Sequence, residues 1–250
     1  MGNRSWRATT AMAAVLVAPL LAAVIGSAPA TAAGDPMAGA PVVGECHFYD
    51  AEDRFVSTEP SAPVDCAAKH TAVVLAVSEV PSGVDIEHDS DLALNRFASR
   101  TCSPALTNAL DVSHDRAHLV RYTYSWFVPT SAQLAQGARW IRCDINQLDG
   151  RKLDKLPANG LYVDGFVQSW NRRCLSSRLL VVSCLRPHTW TARGLITVPD
   201  GRWSVDAQDA RARSRCRGTL QRKDRRYLWV RISEFSWSVG ERHVVCFGAE

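Results

Sequence analysis

The chain lacks most of the short signatures that announce chemistry. It has no Gly-x-Ser-x-Gly elbow, so nothing presents a serine nucleophile on a strand-to-helix turn. It has no phosphate-binding glycine loop and no Cys-x-x-Cys pair of the kind that holds structural zinc. Beyond residue 33 no apolar run approaches the roughly 20 residues that a membrane-spanning helix needs. A net charge of +4 over 250 residues is too small to imply a nucleic-acid partner. No low-complexity tract replaces a core, and a hydrophobic content of 46% suits one large or two small globular domains.

What is present begins with an export signal. Arg4 and Arg7 precede an apolar run over 11–25 broken only by Pro19, and Ala30-Thr31-Ala32 offers small residues for cleavage. Residues 1–33 read as a secretory signal peptide; the run is short for an uncleaved anchor. No cysteine stands at the cleavage site, so no lipid attachment is expected there. Residues 34–43, rich in Gly, Pro and Ala, read as a disordered lead-in.

The body of the chain repeats itself. Trp126 is followed by Gly137, Arg139 and Cys143, and Trp229 by Gly240, Arg242 and Cys246 at the same offsets. Upstream, Cys66-x-x-x-His70-Thr71 is echoed by Cys184-x-x-x-His188-Thr189. The expected fold is α+β: two tandem small units, 44–146 and 161–250, each an antiparallel sheet with one packed helix, joined by a linker over 147–160. In the first unit, 71–77 and 119–128 read as strands, as does 139–145. A helix over 91–110, capped by Asp89 or Ser90, carries Leu94, Phe97 or Ala98, Cys102, Leu106 and Leu110 on one face, with Pro104 able to kink it or split it. In the second unit, strands are expected at 163–167, from Cys174, and at 179–183, 194–198, 227–232 and 241–247, with a helix from Ser204 or Asp206 to Leu220. The second unit is shorter after its helix, because Cys102 precedes Trp126 by 24 positions and Cys216 precedes Trp229 by only 13.

Eight cysteines behind an export signal imply disulfides. Cys46 opens one arm of a hairpin and Cys66 closes the other, so these two face each other; Cys174 and Cys184 repeat the arrangement. Cys102–Cys143 and Cys216–Cys246 would then pin each helix to the last strand of its unit. Zinc held by the two Cys-x-x-x-His pairs competes with this reading, but an exported thiolate oxidises, so no metal is expected. A catalytic thiol would leave an odd cysteine.

His70 and His188 recur at equivalent positions, yet no carboxylate accompanies them at a fixed offset, so both read as structural. Charge is uneven: residues 35–157 hold 17 acidic and 11 basic residues, while 158–250 hold 8 acidic and 16 basic. The halves should attract each other. The strongest feature is the run Arg211, Arg213, Arg215, Arg217, Arg222, Lys223, Arg225 and Arg226, which reads as a solvated helix face or a surface for an anionic wall polymer. Trp170, Trp190, Trp203, Trp229 and Trp237 read as core rather than sugar platforms.

Together, Cys46 after Gly44-Glu45, Cys66-x-x-x-His70, the helix cysteine Cys102 and Trp126…Gly137-x-Arg139-x-x-x-Cys143 resemble the septum-formation domain of actinobacterial exported proteins. The second unit resembles a degenerate second copy. The acidic residue that often follows the family's motif glycine is present as Glu241 and replaced by Ala138. The resemblance implies a role in cell division and brings no catalytic residues. The expectation is a secreted, cell-envelope, non-enzymatic module without cofactor, binding an envelope protein or an anionic wall polymer; the alternative is an envelope hydrolase using unidentified carboxylates.

Overall fold

A computed structural model describes residues 34–88, 90–158 and 170–249. The expected signal peptide and the strand expected at 163–167 lie outside the described residues. Among those described, ten strands build two five-stranded sheets, both antiparallel throughout.

The first sheet runs β1 (Cys46–His47), β2 (Ala72–Glu79), β4 (Trp140–Asp149), β3 (Tyr122–Phe127), and β5 (Lys152–Asp154) also pairs with β4. The second runs β7 (Val181–Ser183), β6 (Arg173–Leu175), β8 (Trp190–Thr197), β10 (His243–Ala249), β9 (Arg226–Val230). Four strands of each sheet follow one order, β1-β2-β4-β3 matching β6-β8-β10-β9, and a helix follows β2 in the first sheet and β8 in the second. Trp126 lies opposite Cys143, and Trp229 opposite Cys246.

The helices form for legible reasons. In α1 (Leu92–Ala109) the cap falls at Asp91, later than the expected Asp89 or Ser90, because the Asp91 carboxylate accepts Leu94 N at 2.8 Å and satisfies an otherwise unbonded donor. Leu94, Ala98, Cys102 and Leu106 recur every fourth residue and are buried. Pro104 does not break α1; it lies on the exposed side, where water can satisfy the carbonyl it leaves without a donor. After the one-turn α2 (His114–Ala117) and α3 (Ser131–Leu134) comes α4 (Val205–Arg215), capped by Ser204, whose buried stripe is Gln208, Ala212 and then Cys216, which opens a 3₁₀ turn. Gln208 is fully buried and bonds both the N–H and the carbonyl of Ile232, at 2.8 and 3.1 Å, as a neighbouring strand would.

All eight cysteines are bridged: Cys46–Cys66, Cys102–Cys143, Cys174–Cys184 and Cys216–Cys246. Each bridge stays within one half, and each typically contributes about 2–4 kcal/mol.

Two segments differ from expectation. Residues 34–43 are not disordered. They dock on the first sheet through backbone carbonyls: Pro36 O accepts Arg139 N, Ala38 O accepts Trp140 Nε1, and Gly39 O accepts Gln133 Nε2. The expected linker at 147–160 begins as a hairpin, because Gly150-Arg151 is a two-residue turn joining β4 to β5, with Gly150 at φ +72°.

The halves join along a short strand contact. Val120 bridges to Arg172, Arg121 N donates to Asn171 O, and Arg173 N donates to Leu119 O, both at 2.8 Å. Arg121, buried beneath this seam, donates to Trp170 O, Leu148 O and Asp154 Oδ2. Arg186 and Asp149 pair across it at 2.9 Å, which is the direction of attraction the uneven charge implies.

Candidate functional site

Most residues singled out in the sequence serve the scaffold. Gly137 and Gly240 have φ of +93° and +108°, so each turn needs a residue without a side chain. Arg139 then clamps the turn after β2, donating to Val80 O, Pro81 O and Val84 O. Arg242 does the same after β8, reaching Asp200 Oδ1 at 2.8 Å and stacking 3.9 Å over the Trp237 ring. His70 is buried and His188 exposed, and each ring touches the backbone carbonyl two residues before it. Neither can share zinc with its neighbouring cysteine, because Cys66 and Cys184 are bridged. The tryptophans of the second half are all at least half-buried.

The arginine run follows α4, the 3₁₀ turn, the loop after it and the start of edge strand β9. All of its members except Arg211 are exposed. Arg213 reaches Asp209 at 3.7 Å, and Arg226 lies 5.5 Å over the Trp190 ring.

Carboxylates do converge in the first half, where Glu59 lines a cleft of 560 Å³ with His47 and Arg142 while Asp144 is fully buried. Arg142, itself buried, sits 2.8 Å from Glu59 and 3.0 Å from Asp144, which has no exposed surface. Tyr49 donates to Asp144 Oδ2 at 3.1 Å. Burial pushes Asp144 up to about 6, against the pull of Arg142. Glu59 is held below the usual carboxylate range: burial would raise it, but bonds from Arg142 and Ser61 outweigh that. Both acids are fastened to one guanidinium, an arrangement that commits their charge to an internal ion pair.

One cluster was not anticipated in the sequence. α2 (His114–Ala117), capped by Ser113, sets His114 and His118 one turn apart on the same face. The turn at Gly240 delivers Glu241 and His243 to the start of β10. Glu241 Oε1 accepts the N–H groups of Arg242 and His243, each at 2.7 Å, and contacts His243 Nδ1 at 2.9 Å. The rings of His114, His118 and His243 form a triangle with centroids 4.9–5.0 Å apart. One ligand atom from each of the four residues lies within 4.8 Å of every other. Burial, aided by His243, Arg173 and His114, pushes His118 down to about 4 against Glu241. Burial would raise Glu241, yet His243 and His118 hold it down at about 2. His243 is raised by its bond to Glu241. His114, His118 and Glu241 line a cleft of 860 Å³ shared by both halves, with Tyr124, Trp126 and Arg173. The available signals were His-x-x-x-His on a helix and Glu-x-His at a strand start, more than a hundred positions apart.

These features define an α+β protein of two antiparallel sheets, each with a helix tied by a disulfide to a central strand. The chain matches the family model described as septum formation over residues 43–246, and it belongs to that family. The single match spans both halves. No curated protein and no solved structure matches the chain.

Proposed function

We propose that this protein is an exported septum-formation module that works outside the cytoplasmic membrane by binding an anionic wall polymer, without turnover. Its eight bridged cysteines suit an oxidising compartment. No helix among the described residues is long and apolar enough to cross a membrane. The observation that carries the choice of ligand is the exposure of the arginine run along α4 and the β9 edge. Guanidinium groups are weakly hydrated and fork onto phosphate and carboxylate, so a row of them favours a polyanion. The burial of Glu59 and Asp144 against Arg142 favours binding over acid–base hydrolysis.

Retention on purified cell wall tests this reading. The full chain should sediment with wall at low salt and be released as salt rises, since the screening length falls from about 10 Å at 0.1 M to about 3 Å at 1 M. Replacing Arg213, Arg215, Arg217 and Arg222 by Gln should weaken retention at least about tenfold. Retention that ignores salt and these four replacements would reject it.

A further inference from the structure

The geometry points to a binding site for a zinc-class divalent cation at the seam, formed by His114, His118, His243 and Glu241. Three imidazoles and one carboxylate are the donor set that zinc and its neighbours prefer. Zinc–nitrogen bonds of about 2.0–2.1 Å place the corners of a regular tetrahedron about 3.3–3.4 Å apart. His114 Nε2 and His118 Nε2 are 3.4 Å apart, and His118 Nε2 is 3.6 Å from Glu241 Oε2. The remaining donors are drawn into the same small volume.

Plain hydrogen bonding accounts for this arrangement less well. A contact of 3.4 Å between two ring nitrogens exceeds the usual N–H···acceptor range of about 2.7–3.2 Å. The Glu241–His243 pair explains two of the four groups but gives His114 and His118 no reason to turn their Nε2 atoms together.

The surroundings resemble an outer shell. Glu241 Oε1 is occupied by two backbone N–H groups and His243 Nδ1, which leaves Oε2 and His243 Nε2 as donors. Ser103 Oγ lies 3.5 Å from His114 Nδ1. Asp115 Oδ1 lies 3.5 Å from His243 Nε2, on the ligand side of that ring, and adds negative charge there, while the positive charge of Arg173 opposes it at His118.

The site also uses what the two halves do not share. His114, Asp115 and His118 sit in the stretch between helix and strand that is longer in the first half. Glu241 and His243 occupy the positions where the first half has Ala138 and Trp140. A bound ion would therefore tie α2 to β10, and one half to the other.

Calorimetric titration of the untagged, disulfide-intact chain after chelator treatment tests the site. One equivalent of Zn²⁺ should bind, whereas Mg²⁺ and Ca²⁺, which favour oxygen donors, should not compete. Co²⁺ in its place should give the visible absorption of a tetrahedral ion. His118→Ala and His243→Ala should each weaken zinc at least about 100-fold, while His188→Ala leaves it unchanged. Absence of stoichiometric binding by the wild-type chain would overturn the proposal, and so would binding lost in His188→Ala but kept in His118→Ala.

Discussion

Cys143 in β4 faces Trp126 across the first sheet while its sulfur is bonded to Cys102 of α1. Cys246 stands in the same relation to Trp229 and to Cys216 at the end of α4. One cysteine in a central strand thus fixes both the helix above the sheet and the register beside it.

The two helix–strand bridges should therefore matter alike. They close segments of 41 and 30 positions, a difference worth only about 0.3 kcal/mol in chain entropy. Replacing either pair by serines should lower stability by about 2–4 kcal/mol in denaturant titrations. A loss confined to one pair would show that the halves do not share a construction.

The motif glycines should differ in a defined way. Both have positive φ, so alanine at either costs about 1–3 kcal/mol in backbone strain. A Cβ at Gly240 meets nothing within 4 Å, whereas one at Gly137 would stand 2.6 Å from the backbone of Gly34. Gly137→Ala should thus destabilise more than Gly240→Ala, and truncation of residues 34–39 should remove the excess. Thermal melts of the variants would read this directly.

Asp144 sets a pH dependence. Burial raises its pKa to about 6 in the folded chain, above the unfolded value of 3.8. Between about pH 4 and pH 6 the folded state keeps a proton that the unfolded chain has released, so this group's contribution to stability falls as pH rises through that window. Glu59, with a depressed pKa, contributes in the opposite sense: its stabilisation is present above the unfolded value and lost on acidification. Asp144→Asn isolates the first effect. The stability of wild type relative to the variant should decline from pH 4 to pH 6, and a flat difference would contradict the charge arrangement around Arg142.

Much of the scaffold could be read in the residues because it depends on local pattern. The fourfold spacing from Leu94 to Leu106 specified α1, and the facing arms of the hairpins indicated which cysteines meet. Composition misled where backbone groups make the contacts. Residues 34–43 look like spacer because their carbonyls, which every residue carries, do the docking. Asp149-Gly150 looks like a linker because linkers and hairpin turns use the same residues. The histidine cluster is not legible in the sequence because its two short motifs meet across the seam where Val120 pairs with Arg172. The repetition of His70 and His188 marks them out in the sequence, yet the ring of each contacts a backbone carbonyl just two residues away.

Binding without turnover is the claim on which the functional reading stands. The most direct test incubates the purified chain, with one equivalent of Zn²⁺, with cell wall, then measures soluble sugar and peptide fragments in the supernatant by mass spectrometry. The chain should sediment with the wall, and fragments should not rise above a chain-free control. Fragment release that grows with time and disappears in His118→Ala would contradict it and make the cleft between the halves an active site.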